Sequence, residues 1–594
     1  MHAINLSRGA SLVLLAAFGG AYAFCTPAAP AEEAAPKVIY LSDMSRCTPK
    51  SALAKEVQQG RWQLIPYETV DPQPGPGTMI GAASFVNAPE VRLPLGVSGW
   101  HAIYVGYWNP HYAYDGGTTV KVKLTGDPCF TRFSEGEPSI DYNATHISEV
   151  FFKAADLTGQ DLEFGKVGGS FAQKAYLAYV KLVPLSPEEV KALQADRART
   201  DTRVVVATID GISYFWNQEY TKREHLLELV EPYRYSDVGK VLWAVCYGEI
   251  TNYPSKSGIF WATQKLVPIS SVPGNNAYIA GEKTAYDSLR KLVGDGIIPE
   301  AVVAEQMHKM GLKFEAMFRL AILGSIPPER WVGAKTFLAT HPEFRQVMAD
   351  GTPVEKASYA FPEVRNQMLA IIRETAETFD LDGANLGFVR GPHFMQYEKP
   401  VLDDFRQKSG AEGRGVSFND PRMREVRCHY LNEFVHEARR TLDRVGRKKG
   451  KKLELSVWVF PTLPWNLDCG MDVKHWLERG WLDSVIIHGY PPDAEMIATI
   501  KANHCRAIYF PHMPPGSTLL KEAAKARELG AQGLAMWDLD TAQDQPGPWG
   551  QISRLGHGDQ PAPAHATLAE SHRLKTVGGY DVLQGLGAAV YSGG

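Results

Sequence analysis

The chain begins its regular structure with short apolar runs in which hydrophobic and polar positions alternate. The runs between residues 37 and 184 are separated by Gly, Pro, Asn and Asp, and they include "WHAIYVGYW" (100–108), "TTVKVKL" (118–124), "EVFFKAA" (149–155) and "AYLAYVKLV" (175–183). A period of two with frequent turn residues is typical of antiparallel strands that bury one face. We therefore predict an antiparallel, jelly-roll-like β-sandwich over residues 37–184.

The hydrophobic pattern changes after this segment. Residues 185–202 have a capping box, in which Ser186 precedes Pro187 and is followed three positions later by Glu189, so a short connecting helix is predicted. From residue 203, β-rich apolar runs alternate with longer helical segments, as in βα units. The predicted strands are 204–210, 241–249, 313–319, 383–390, 453–460, 483–490, 506–513 and 533–540.

Eight such repeats favour a closed (β/α)8 TIM barrel over residues 203–565. A doubly wound open sheet is the alternative that the same pattern allows. The Gly-rich residues 566–594 are predicted to be a loose C-terminal extension.

The first residues indicate export. Residues 1–23 contain Arg8, the apolar stretch "ASLVLLAAFGG" and then "AYA", which fits a signal peptide and its cleavage site. Residues 24–36 are rich in Ala and Pro and predict a disordered linker. We expect a periplasmic or extracellular protein with no stable membrane insertion after the signal is removed; an N-terminal anchor is the alternative.

The net charge and the cysteine content limit the classes of partner and cofactor that the chain is expected to bind. The net charge is -4, with 62 basic and 66 acidic residues, so nothing predicts binding to nucleic acid. Seven cysteines do not form a disulfide framework in so long a chain, although Cys47 and Cys129 are expected to pair if the compartment is oxidising. No CxxC or HExxH spacing occurs, and we predict neither a bound metal nor a cofactor.

Polar residues close the predicted barrel strands. The carboxyl ends of parallel strands form one rim of such a barrel, where active sites are built, so these residues are the candidate site. Each has a structural alternative: a turn cap, an ion pair, a buried histidine or a packed indole. The candidates are Asp210, Glu249, Arg319, Arg390 with His393, Trp458, His488 with Tyr490, His512, and Trp537 with Asp538 and Asp540.

The stretch 337–394 resembles a known group of barrels. It contains "PEVR" (362–365), a "DG" turn (382–383) and a strand that ends at Arg390, and "LELSVWVF" (453–460) and "AMWDLD" (535–540) continue the likeness. These motifs resemble the secreted bacterial glycoside hydrolase-like, family-ten-like barrels. The resemblance covers residues 203 to about 560 and implies a carbohydrate substrate. This chain departs from the pattern at Gly387, where such relatives usually have an acid.

Glycoside cleavage needs one protonated carboxyl and one ionised carboxylate. We predict Glu249 as the acid, because its aromatic-rich loop "WAVCYGEITNY" raises a carboxyl pKa by desolvation. Asp538 is then the nucleophile or base, kept ionised by Arg319 or Arg390. The other candidates are predicted to bind a poly- or oligosaccharide, and the arginines and histidines favour an anionic one.

Two other functions are compatible with these residues. A barrel that lost its acid at Gly387 would bind a glycan without cleaving it. Alternatively, His488, His512 and Asp210 or Asp538 would hold a metal in a hydrolase such as a deacetylase, although their spacing matches no known signature.

Overall fold

The fold is known from a computed structural model, which describes residues 37–110, 118–135, 145–168, 173–216, 220–263, 276–323, 336–489, 493–511, 518–558, 560, 563, 566 and 569–581. The predicted signal peptide and the predicted linker both lie outside these residues. From Val38 onward the described residues form one compact unit.

Strands that pair antiparallel occupy the first part of this unit, as the alternating pattern predicts, except that the two-residue β2 pairs in parallel with β3. Two of them, β6 and β7, have the predicted bounds, because turn residues flank both runs. The strands are β1 Ile39–Leu41, β2 Leu53–Ala54, β3 Trp62–Thr69, β4 Gly77–Ala82, β5 Val91–Leu93, β6 Trp100–Trp108, β7 Thr118–Leu124, β8 Thr131–Glu135, β9 His146–Asp156, β10 Leu162–Lys166 and β11 Ala175–Pro184.

These strands belong to two sheets that share a hydrophobic core. The smaller sheet has the order β5-β10-β7-β8. Val122 and Phe164 from the smaller sheet pack in the same cluster as Ile103 and Val180 from the larger one. Two antiparallel sheets are thus present, while the jelly-roll strand order stays a prediction.

The helices begin and end mostly at recognisable caps. At α1 both halves of the predicted capping box are present, with Ser186 accepting from the Glu189 N–H and Glu189 accepting from the Ser186 N–H. None of the helices in the described residues has the length and hydropathy needed to cross a membrane. They are α1 Pro187–Arg197, α2 Arg223–Leu227, α3 Asn276–Gly294, α4 Pro299–Lys309, α5 Phe337–Thr340, α6 Pro362–Thr378, α7 Lys399–Ser409, α8 Pro421–Lys449, α9 Leu463–Asp468, α10 Val473–Glu478, α11 Ala494–Ala502, α12 Leu519–Glu528 and α13 Pro546–Ile552.

Strands alternate with these helices beyond α1. The pairs β14 with β15 and β17 with β18 are short loop additions, and the others are the predicted barrel strands. The bounds are β12 Val205–Ile209, β13 Val238–Tyr247, β14 Ile250–Thr251, β15 Ile259–Phe260, β16 Lys313–Arg319, β17 Arg345–Val347, β18 Pro353–Ala357, β19 Gly383–Gly387, β20 Glu454–Val459, β21 Ser484–His488, β22 Arg506–Phe510 and β23 Gly533–Met536.

Eight parallel strands close into a barrel in the order β12-β13-β16-β19-β20-β21-β22-β23. Closure follows from the pairing of β12 with both β13 and β23. The (β/α)8 prediction is therefore confirmed and the open sheet is wrong. Inside the barrel, side chains such as Leu242, Met317 and Ile486 form a small separate core. The strands could be predicted from apolar runs in the sequence because they are buried on both faces.

The chain returns to the antiparallel region after the barrel. The strands β24 Ser571–Val577 and β25 Tyr580–Asp581 follow, and β24 pairs with both β9 and β3. These pairings close six strands, β3-β4-β11-β6-β9-β24, into a ring. The prediction of a loose extension is thus wrong for residues 571–581. Local composition misleads here because the stabilising partners of β24 lie in the first part of the chain.

The expected disulfide is absent. Cys47 and Cys129 are both buried free thiols. Each side chain lies among apolar neighbours of a different core cluster, so their shared position before residue 184 did not bring them together.

Candidate active site at the barrel mouth

The carboxyl ends of the barrel strands bring eight residues to one rim, since all the strands run in parallel. Polar and aromatic side chains dominate this rim, and Gly387 is the exception. In barrel order the residues are Asp210 after β12, Tyr247 in β13, Arg319 in β16, Gly387 in β19, Trp458 in β20, His488 in β21, Phe510 in β22 and Trp537 after β23.

Asp210 is the centre of a tight polar group. Its Oδ1 accepts hydrogen bonds from Arg319 Nη1 at 2.8 Å and from the Tyr247 hydroxyl at 3.1 Å. The Arg319 guanidinium also lies 4.1 Å from the Tyr247 ring centroid. Three consecutive strands of the barrel therefore hold a carboxylate in one orientation, with its charge balanced by a cation.

Asp538 supplies a second carboxyl with a different environment. Its backbone has φ 47° and ψ 50°, a left-handed conformation that costs about 1 kcal/mol in a residue with a Cβ. Its Oδ1 is buried and has no hydrogen-bond partner. Burial, and then the negative charge of Asp210, raise the pKa of Asp538 to about 6, against the opposing influence of Arg390 and Arg319.

The two carboxyls therefore have different surroundings. Asp210 is ion-paired to Arg319, whereas burial raises the pKa of Asp538 and its Oδ1 has no partner among the described residues. A pair of neighbouring acids in unlike environments is the arrangement that acid–base catalysis uses. The strained backbone at Asp538 is consistent with a functional position.

Aromatic rings form the floor of the mouth. Trp458 contacts the Trp537 ring edge-on, with 4.9 Å between centroids, and Phe510 at 5.7 Å. His488 stacks on Phe510 at 4.8 Å, and its Nδ1 accepts a hydrogen bond from Trp458 Nε1. Trp458 is fully buried. The prediction that its indole face binds a sugar ring is wrong, because this residue points inward and fills the barrel interior.

Arg390 lies over this floor and is exposed. Its guanidinium is 5.2 Å from the centroid of the Trp537 ring. Within the described part of the chain, no carboxylate lies at ion-pair distance from Arg390. The guanidinium is therefore available to a ligand at the mouth.

Glu249 has the expected burial but other contacts. Its two carboxyl oxygens both lie 2.8 Å from the backbone N–H of Phe337, the first residue of α5. Burial raises the pKa of Glu249 to about 7, although the Phe337 N–H lowers it. Among the described residues, no hydrogen bond joins Glu249 to Asp210 or Asp538. Its catalytic role stays a prediction, and its observed contact is with the first backbone N–H of α5.

His393 packs against an aromatic residue that precedes α8. Its ring contacts Phe418 at 4.4 Å, beside the buried guanidinium of Arg427. Burial, followed by the charges of Arg427 and Lys356, lowers the pKa of His393 to about 4. The structure thus places the His393 ring against Phe418, and its role in substrate binding stays a prediction.

Asp540 is influenced by a charge on the antiparallel sheets. It is buried, and desolvation and then the Asp538 charge raise its pKa to about 7, while Arg132 of β8 lowers it. Arg132 forms an ion pair with Asp544 at 3.0 Å. The role of Asp540 in substrate binding stays a prediction, and its carboxyl is influenced both by Asp538 and by Arg132.

Some site residues fall outside the prediction or outside the described chain. Tyr490 and His512 are not among the described residues. Tyr247 and Phe510 were missed, because an aromatic residue that ends an apolar strand has the same sequence pattern as a core residue. Their position as the last residue of a barrel strand was the signal that was available.

Gly387 lies on the rim between Arg319 and Trp458, with which it pairs in register. A Cβ atom at this position would lie 3.2 Å from the Phe318 carbonyl oxygen and 3.9 Å from Met317 Cγ. Met317 belongs to the barrel interior. A side chain at this position would therefore begin inside the barrel, close to the Asp210–Arg319 pair.

A cluster with metal-ligand geometry occurs elsewhere. In the described ranges, the one group of carboxylates and imidazoles with ligand atoms within 4.8 Å of one another is Glu149, Glu570 and His572. Lys181 occupies this cluster, with its Nζ 2.6 Å from Glu149 and 3.1 Å from Glu570. A cation is thus already supplied by the chain itself.

The chain is similar to known proteins only at low sequence identity. No family model matches it, and no curated protein matches it. Similar solved structures include the glycoside hydrolase domain of PgaB (BpsB) from Bordetella bronchiseptica, with 12% identity over 59% of this chain and 99% of that chain and a TM-score of 0.37. The catalytic domain of a β-amylase from Paenibacillus polymyxa has 10% identity over 60% and 99%, with a TM-score of 0.38. A ruminal endo-β-1,4-mannanase has 9% identity over 88% and 96%, with a TM-score of 0.26. Similarity at this level carries no weight for fold or activity, which rest on the strand order and the side chains.

Proposed function

We propose that this chain is a glycoside hydrolase-like enzyme that cleaves a glycosidic bond of a poly- or oligosaccharide at the barrel mouth. The observation that carries the proposal is the Asp210–Asp538 pair. One carboxyl is held by Arg319 and Tyr247, and the other has a raised pKa and an unpartnered oxygen. We also propose that the protein is exported, as its first residues indicate.

The roles follow from the two environments. Protonated Asp538 donates its proton to the leaving glycosidic oxygen. Asp210, negatively charged beside Arg319, then attacks the anomeric carbon or takes a proton from the attacking water. This assignment gives Asp538 the acid role instead of Glu249, whose carboxyl is occupied by the Phe337 N–H. The acid and the nucleophile or base are thus the two carboxyls that lie at the barrel mouth, Asp538 and Asp210.

Arg390 favours a substrate with negative charge. Its exposed guanidinium above Trp537 has no carboxylate partner within the described residues, and a guanidinium binds a carboxylate or sulfate through two parallel hydrogen bonds. A uronic acid or sulfated sugar is therefore the substrate class that this residue supports.

Cleavage assays test the proposal directly. Purified protein is incubated with neutral, uronic-acid-containing and sulfated polysaccharides, and release of reducing ends is measured. We expect Asp538→Asn and Asp210→Asn each to lower the rate by about 10²- to 10⁴-fold. Asp287→Asn, an exposed carboxyl on α3, is the control and should leave the rate unchanged. Because Asp538 must be protonated, the rate should fall as pH rises above about 6. Full activity of Asp538→Asn would refute the proposed acid.

A second function is favoured by Gly387. This position offers no carboxyl at a rim where a side chain would enter the barrel. A barrel that binds a glycan without turnover is therefore the alternative. Saccharide binding with no release of reducing ends, in wild type and in both Asn variants alike, would support it.

A further inference from the structure

An exposed tryptophan lies beside the mouth, on the loop that follows β20. Trp465 belongs to α9 and lies five residues after Phe460 in the sequence. Half of its surface, 50%, is exposed. Its ring lies flat on the Phe460 ring, with 4.7 Å between centroids and 6° between planes. One indole face is thus covered by Phe460, and the exposed half of the residue leaves the other face to solvent.

The loop holds this indole in a fixed orientation. Thr462 Oγ1 accepts the Trp465 N–H at 3.2 Å, which caps α9. Buried Asn466 bonds both backbone groups of Phe460, with Nδ2 2.9 Å from its carbonyl oxygen and Oδ1 3.0 Å from its N–H. These bonds fix the backbone on both sides of the stacked pair before any ligand arrives, which lowers the cost of ordering the loop on binding.

The same loop leans over the rim of the barrel. Pro461 contacts the backbone of Gly489, where an added Cβ would lie 3.0 Å from Pro461 Cγ. Gly489 directly follows His488, the rim residue of β21. The Trp465 platform, by which we mean Trp465 stacked on Phe460, is thus attached to the barrel mouth between β20 and β21.

We propose that Trp465 is a saccharide-stacking residue for a sugar unit outside the catalytic carboxyls. This inference rests on the proposed function and specifies its substrate as a chain of sugars rather than a simple glycoside. An indole face binds the apolar C–H face of a pyranose ring. Because Trp465 is half exposed, its free indole face is in contact with solvent until a ligand covers it. Trp458 cannot serve in this way, because it is fully buried.

Binding by an inactive variant tests the platform apart from catalysis. In an Asp538→Asn background, dimers and hexamers of cello-, xylo-, manno-, chito- and galacturono-saccharides are titrated by calorimetry. Trp465→Ala should weaken binding of the hexamer that binds best by about 3- to 10-fold and leave the dimer unchanged. Trp465→Phe should restore most of the hexamer affinity, because it keeps an aromatic face. Phe85→Ala, at an exposed aromatic residue in the antiparallel region, should change nothing.

The outcomes separate the two proposals. Hexamer binding that is equal with and without the Trp465 indole overturns the platform, whatever the carboxyls do. Hexamer binding that depends on Trp465, combined with full cleavage by Asp538→Asn, overturns the proposed acid and keeps the platform. Absence of hexamer binding across the panel overturns both. Thermal unfolding of Trp465→Ala at the wild-type temperature shows that a lost affinity is not a loss of folding.

Discussion

Two clusters of carboxylates in this chain have similar composition and differ in how fully their oxygens are bonded. In the ring of antiparallel strands, the sheet cluster consists of Glu149, Lys181, His572 and Glu570. Glu149 Oε1 accepts from the Tyr179 hydroxyl at 2.8 Å, and Oε2 accepts from Lys181 at 2.6 Å and from the Glu570 N–H at 3.0 Å. The hydrogen-bonding capacity of this buried carboxylate is used within the chain.

The barrel mouth has the opposite balance. Asp538 has a buried oxygen without a partner, and burial raises its pKa to about 6. At Glu149 burial also acts to raise the pKa, but hydrogen bonds from His572 and Lys181 outweigh it and lower the pKa. A carboxylate whose oxygens both accept hydrogen bonds within the chain stabilises the fold, whereas a carboxyl with an unpartnered oxygen can accept a hydrogen bond from a ligand. Composition alone does not distinguish the two.

The largest expected effect comes from opening the sheet cluster. Glu149→Ala leaves the Lys181 ammonium buried without its buried carboxylate partner, so the free energy of unfolding should fall by about 3 to 5 kcal/mol in urea titrations. Glu68→Ala removes an exposed pair with Lys575 on the same β24 and should cost less than about 1 kcal/mol. Equal losses in the two variants would contradict the contrast between the clusters.

A smaller effect is expected where the two regions meet. Arg132 of β8 is buried against Asp544, so Arg132→Met should destabilise the fold by about 1 to 3 kcal/mol by leaving that carboxyl without its cation. The double variant Arg132→Met, Asp544→Asn should recover part of the loss, measured by the same titrations. If the double variant were as unstable as the sum of the single variants, the ion pair would not be the cause.

The smallest expected effect is a dependence of the protein's stability on pH, which is caused by Asp538 at the barrel mouth. The folded pKa of Asp538 lies above the usual value of an aspartate, so folding is favoured by protonation, and stability falls as pH rises from about 4 to 6. Asp538→Asn should remove this fall and gain about 1 kcal/mol at pH 7, a figure reduced for solvent screening of a part-exposed group. Thermal unfolding at pH 4 and pH 7 measures it, and a variant less stable than wild type at pH 7 would contradict it.

The sequence predicts the barrel well because its signals are local. The run at 313–319 coincides with β16 residue for residue, and the capping box at Ser186 and Glu189 is present as predicted. Each strand is buried on both faces and flanked by helices, so hydrophobicity alone outlines it. Arg319, Asp210 and Asp538 were found because each closes such a run.

The remaining features depend on contacts between distant residues. Nothing near His572 indicates that β24 pairs with β9, and nothing near Asp540 indicates that the charge of Arg132 influences it. The surroundings of a side chain at a strand end also cannot be predicted from the local pattern, since Arg390 and Arg319 oppose the burial that raises the pKa of Asp538, whereas Arg132 opposes it at Asp540 two residues later. Exposure decides the role of the tryptophans, and sequence does not report it.

The position of β24 has a consequence for how the protein is made. The ring that contains β3 and β9 lacks one member until residues 571–577 have left the ribosome, long after the other five strands have been synthesised. Until then both of those strands present unpaired backbone edges, which are sites of aggregation. Shortened versions that stop after the barrel should therefore accumulate as inclusion bodies, even though every barrel strand is complete.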